Sequence, residues 1–110
     1  MSKVYLAGPM SGYDANNFPA FDRARDRLKA LGHEVLSPAD LSRAAGVSDD
    51  GTVVPDGMGY SEFMRQDIDA VFEADMLFML QGWERSRGAK VEHALADLLG
   101  KRIVYESDAL

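Results

Sequence analysis

Apolar and polar positions alternate along this chain in blocks that switch between strand and helix spacing. Val4-Tyr5-Leu6-Ala7 is a short apolar run closed by Gly8-Pro9, the pattern of a buried strand. A loop from Met10 to Phe18 follows, and Pro19 suits the first turn of a helix. Phe21, Ala24, Leu28 and Leu31 then recur at helical spacing until Gly32. Val35-Leu36 predicts a second strand, ended by Ser37-Pro38, and Ala39 to Ala45 a short helix. Gly46 to Gly59 is polar, glycine-rich and long for a connection, as lids and mobile loops often are. Tyr60 to Ala74 is amphipathic, with Met64, Ile68, Val71 and Phe72 on its apolar face. Met76 to Leu80 is a third strand. Val91, Leu95, Leu98 and Leu99 mark a further helix stopped by Gly100, and Arg102 to Tyr105 a last strand.

Strands alternating with helices predict an α/β fold: one doubly wound, flavodoxin-like or Rossmann-like domain spanning 1–110. Its sheet should be parallel, with four or five strands and helices on both faces. Ligands of such sheets bind beyond the carboxyl ends of the strands, where the winding reverses. That rule selects two loops, Gly8 to Phe18 and Gln81 to Gly88.

Composition narrows the chemistry. The 110 residues carry a formal charge of -6, which argues against a nucleic-acid polymer as partner. A small phosphorylated ligand remains possible, because backbone N–H groups can hold phosphate. There is no cysteine, so no disulfide and no thiol nucleophile. No apolar run approaches the roughly 20 residues of a membrane span, and the start has no signal-peptide pattern. The expectation is a cytoplasmic protein that does not enter a membrane.

Two acids stand out. Glu92 lies just past the start of the last long helix, behind Ser86-Arg87-Gly88. It is either a solvated acid favouring the helix dipole or a nucleophile at an anion-holding mouth. Asp67 shares the apolar face of its helix with Met64 and Val71. A carboxylate there is costly unless paired or hydrogen-bonded, so it is either a cap or a functional acid. Burial should raise its pKa. Tyr5 reads as core or as a site residue. Trp83 reads as a ligand wall or an interface anchor. His33 and His93 have no metal-ligand spacing, and no metal site is expected. Gly8-Pro9-Met10-Ser11-Gly12 is neither a Walker loop nor a dinucleotide fingerprint. By composition it is a turn, by position half of a crevice.

At these residues the chain resembles the nucleoside 2-deoxyribosyltransferase-like superfamily. The resemblance is carried by Val4 to Met10, by Arg65-Gln66-Asp67-Ile68 and by Ser86 to Ala94, with its Ser/Asp-x-Gly-x-x-x-Glu spacing. It is nearest to small bacterial and phage members of unassigned function, similar to 2'-deoxynucleoside 5'-monophosphate N-glycosidases. The resemblance implies that Glu92 is the nucleophile, that Asp67 handles the proton of the leaving base, and that Tyr5 orients Glu92. It implies a binding surface of Gly8, Pro9, Met10, Ser11, Gly12, Ser86, Arg87 and Gly88. Ser86 and Arg87 tilt the expectation toward a nucleotide over a nucleoside, although the first loop lacks the arginine of the hydrolase branch. No cofactor or metal is required, the partner is a small-molecule nucleotide or nucleoside, and the assembly is a homo-oligomer. The alternative is a module of the same fold that binds a nucleotide without turning it over.

Overall fold

The computed structural model describes residues 2–109. Four parallel strands form the sheet: β1 (Lys3–Ala7), β2 (Glu34–Leu36), β3 (Met76–Met79) and β4 (Arg102–Tyr105). Their order is β2-β1-β3-β4. The helices are α1 (Phe18–Ala30), α2 (Pro38–Ala44), α3 (Tyr60–Glu73), α4 (Arg87–Leu98) and the short α5 (Glu106–Ala109). A tight left-handed turn, Asp14–Asn17, and a 3-10 turn, Trp83–Arg85, lie in the loops after β1 and β3.

Strand alternation divides the core in two. Val4, Leu6, Met76 and Phe78 point to one face, where Phe18, Phe21, Ala24 and Leu28 cover them. Tyr5, Ala7, Leu77 and Met79 point to the other, against Ala70 and Val71 of α3 and Ala89 and Ala96 of α4. Both faces are covered, so the central strands read as unbroken apolar runs, as parallel sheets require. In register, Tyr5 stands between Leu36 and Leu77. The α/β class and the flavodoxin-like order match the expectation, with four strands among the described residues.

Three sequence expectations need correction. On α4, three of the four large residues assigned to the apolar stripe face outward: Val91 is 53% exposed, Leu98 82% and Leu99 42%, while Leu95 packs against the core. The buried face is Ala89, Glu92 and Ala96. Alanines allow α4 to lie close against the sheet, and close approach, not side-chain size, decides which face turns in. On α3, Phe72 is exposed, while Phe63 packs on the core and Ala70 is buried. The loop 46–59 is tied down. Val47 is buried in the core, the Ser48 N–H donates to the Val53 carbonyl at 2.9 Å, and the Thr52 and Val53 N–H groups donate to Ser48 Oγ.

Candidate functional site

β1 and β3 are neighbours in the middle of the sheet, and the chain leaves them in opposite directions. β1 leads through α1 to β2 on one side; β3 leads through α4 to β4 on the other. The crevice between their carboxyl ends is the switch point. Gly8 makes the convergence possible: a Cβ there would lie 2.8 Å from Leu80 Cβ. Beyond these ends opens a cavity of about 480 Å³.

Three side chains from three elements meet in its wall: Tyr5 from β1, Asp67 from α3 and Glu92 from α4. Tyr5 is fully buried and Glu92 is 5% exposed. Glu92 is aimed inward because Ala89 and Ala96, three residues before it and four after, press α4 onto the sheet. Asp67 follows Phe63 and Met64 along the inner side of α3, and all three line the cavity. The Asp67 Oδ1 and Tyr5 Oη atoms are buried and make no hydrogen bond among the described residues. Buried polar atoms are normally paired, so such atoms call for an explanation.

Burial raises both acids, and Asp67 acts on Glu92. Burial pushes Asp67 up to about 7. Glu92 rises to about 8, chiefly by burial and further by the negative charge of Asp67, while the neighbouring Tyr5 hydroxyl pulls it down. Tyr5 is itself raised well above its ordinary value, first by burial and then by the two carboxylates. The hydroxyl is thus near enough to Glu92 to couple, but falls outside hydrogen-bonding geometry here. Two close carboxyl groups titrate as a unit. Between their two pKa values the pair holds one proton, more often on Glu92, and the form with that proton on Asp67 sets an acid beside a carboxylate.

A second feature borders the same cavity. Ser86 is the N-cap of α4, and its Oγ accepts from the Ala89 N–H at 3.1 Å. The Ser86 hydroxyl proton and the first-turn N–H groups of Arg87 and Gly88 face an end where helices favour negative charge. Arg85 and Arg87 flank it and are exposed. Gly88 leaves room for Tyr60, whose Oη would lie 3.0 Å from a Cβ at that position.

Of the residues singled out from sequence, Tyr5, Asp67, Glu92, Gly8 to Ser11 and Ser86 to Gly88 line this one cavity. Gly12 does not: it is exposed in a turn at φ 86°. Trp83 is not a wall of it either. Its ring stacks on His93 with centroids 4.5 Å apart, and His93 Nε2 and the Tyr105 hydroxyl share a 2.7 Å hydrogen bond. His33 Nδ1 accepts from the Ser2 N–H at 3.2 Å. Both histidines are structural. Asn16 and Phe18, within the loop the switch-point rule selects, also line the cavity, as do Val47, Val54, Tyr60 and Phe63, which the sequence reading does not single out for the site. Valines in an otherwise polar loop were the available signal for Val47 and Val54.

The family model described as "Domain of unknown function (DUF4406)" matches residues 2–105. A search of curated proteins gives no match. Among solved structures, a 2-deoxyribosyltransferase from the psychrotolerant bacterium Bacillus psychrosaccharolyticus superposes with a TM-score of 0.67 at 20% identity, over 94% of this chain and 70% of that one. A 2-desoxiribosyltransferase from Leishmania mexicana gives 0.68 at 19% identity over 96% of this chain. The present chain spans 63% of the length of the Leishmania protein. At these identities the likeness is one of fold.

Proposed function

The chain belongs to the DUF4406 family, and we propose that it cleaves or transfers the N-glycosidic bond of a 2'-deoxynucleotide or deoxynucleoside, with Glu92 as nucleophile. One observation carries this reading: two buried acids, neither in an ion pair among the described residues, and a buried tyrosine face one cavity at the switch point. The fold it shares with 2-deoxyribosyltransferases supports it.

Heterolysis of the bond leaves positive charge on C1' of the sugar. The Glu92 carboxylate attacks C1' while the C1'–N electron pair departs with the base. Asp67 gives its proton to that base, so the leaving group is neutral. The product of this step is a glycosyl ester on Glu92. Water then attacks C1', its proton passes to Asp67, and free sugar leaves with Glu92 restored as carboxylate. A second base in place of water gives transfer. Tyr5 orients Glu92 and favours its ionised form. The Ser86 cap and the first turn of α4 receive the sugar's 5' end, whether hydroxyl or phosphate.

The proposal extends to a homo-oligomer. Val91 and Leu98 on α4 and Phe72 on α3 are exposed, and α3 packs beside α4. Exposed apolar side chains on neighbouring helices suit burial against a second copy.

The test is base release from the deoxynucleosides and their 5'-monophosphates by wild type and by Glu92→Ala. Release by wild type alone supports the reading; a protein inert on the full panel contradicts it. A second reading is a module that binds a nucleotide without reaction. The raised pKa of Glu92 favours it, since a protonated acid is a poor nucleophile. Mass spectrometry of a ligand recovered unchanged after prolonged incubation would single out that reading.

A further inference from the structure

Ala15, Asn16 and Asn17 follow one another at φ 51°, 51° and 62°. This is the left-handed region, which residues with a Cβ visit singly and seldom in succession. Such strain persists only where the surroundings over-determine it. Here two amides do so. Asn16 Nδ2 donates to the Gly51 carbonyl at 2.7 Å, and Asn17 Nδ2 donates to the Pro9 carbonyl at 2.9 Å. The fit on Gly51 is close: a Cβ there would lie 2.8 Å from the Ala15 carbonyl oxygen and 2.9 Å from the Phe18 ring. Arg43 of α2 secures the same loop from its other side. Its Nε and Nη2 donate to the Asp49 carbonyl at 2.9 and 2.7 Å, and its guanidinium lies 4.8 Å from the Phe18 ring centre.

Three segments are thereby fastened together, and each puts apolar groups into the cavity: Pro9 and Met10, Phe18, and Val47 with Val54. The acids, the arginines and the Ser86 cap come from other elements. Together with Phe63 and Met64 of α3, the three segments supply the apolar lining against which a planar ring leaving C1' could pack.

We propose that the Ala15–Asn17 turn is a positioning clasp: through their amides, Asn16 and Asn17 set the spacing of the apolar wall, and with it which nucleobase ring the cavity accepts. Glycine would adopt these backbone angles without strain. What asparagine adds is the pair of donors to Gly51 and Pro9. Asn17 is not itself in the cavity wall, so its influence passes through Pro9. The proposal rests on the N-glycosidic reading, and its test separates the two.

Asn16→Gly and Asn17→Gly keep the left-handed backbone and remove one tie each. Two measurements apply to both variants and wild type. One is kcat and KM on purine and pyrimidine deoxynucleoside monophosphates; the other is calorimetric binding of free adenine and cytosine, which needs no turnover. Wild type should prefer one ring class by about tenfold or more, within the reach of pocket shape. Each variant should bring that ratio below about threefold, with KM on the preferred substrate rising more than kcat falls. A variant that melts lower yet keeps the preference overturns the clasp, because the tie is then merely structural. A wild type without ring preference in either measurement overturns it too. Selective base binding that depends on Asn17, in a wild type that releases no base, overturns the glycosidic reading and leaves the clasp standing.

Discussion

Burial raises both Asp67 and Glu92, and the negative charge of Asp67 raises Glu92 further. Catalysis by such a pair needs one proton on the two groups, so kcat/KM should be greatest between about pH 7 and 8 and fall on both sides. A pH–rate profile checks this; a flat profile from pH 6 to 9 contradicts it. Asp67→Asn should lower the rate by about 10²- to 10⁴-fold, the usual share of a general acid. The same burial costs stability. Folded pKa values near 7 and 8 lie above the roughly 4 of free carboxyl groups. The folded state therefore binds more protons, and its stability declines as pH rises from about 4 through 8. At pH 8, Asp67→Asn and Glu92→Gln should each melt higher than wild type, read by calorimetry; lower melting would mean that contacts in the folded state compensate the acids. Both acids were legible in the sequence, Asp67 from its place on an apolar helix face and Glu92 from the loop before it. The reinforcement between them was not, because it depends on a distance across two helices that no local pattern carries.

At the scale of the element, small residues decide what the large ones do. Ala89, Glu92 and Ala96 form the inner face of α4, while Val91, Leu98 and Leu99 turn outward. Helical periodicity weights bulk, so of the four large residues it selects only Leu95 packs inward, although it places the helix itself correctly. The tie-down of loop 46–59 is equally hidden, since Asn16 and Arg43 reach it through the backbone carbonyls of Gly51 and Asp49. The approach of β1 to β3 depends on Gly8. In Gly8→Ala a Cβ 2.8 Å from Leu80 Cβ must displace one strand end. The cost should be about 1–3 kcal/mol, measured by denaturant unfolding, and an unchanged midpoint would show that the strand ends yield freely.

Across the whole molecule, alternation of strands and helices was sufficient to give the parallel sheet and its order, because right-handed crossovers leave few alternatives. Assembly is less constrained by pattern, and it is here that the outward residues of α4 matter. Leu98→Glu should convert an oligomeric wild type to monomer in sedimentation; a monomeric wild type would contradict the assembly. The switch point gathers Tyr5, Asp67 and Glu92 from three elements far apart in sequence into a single wall, and the proposed chemistry depends on that convergence. Incubation with the deoxynucleoside 5'-monophosphates, followed by chromatography for free base, tests it most directly in wild type and Glu92→Gln. Free base from wild type, reduced by about 10³-fold or more in Glu92→Gln, is the expected result. Equal release by the two proteins, or none by wild type on any base, would contradict it.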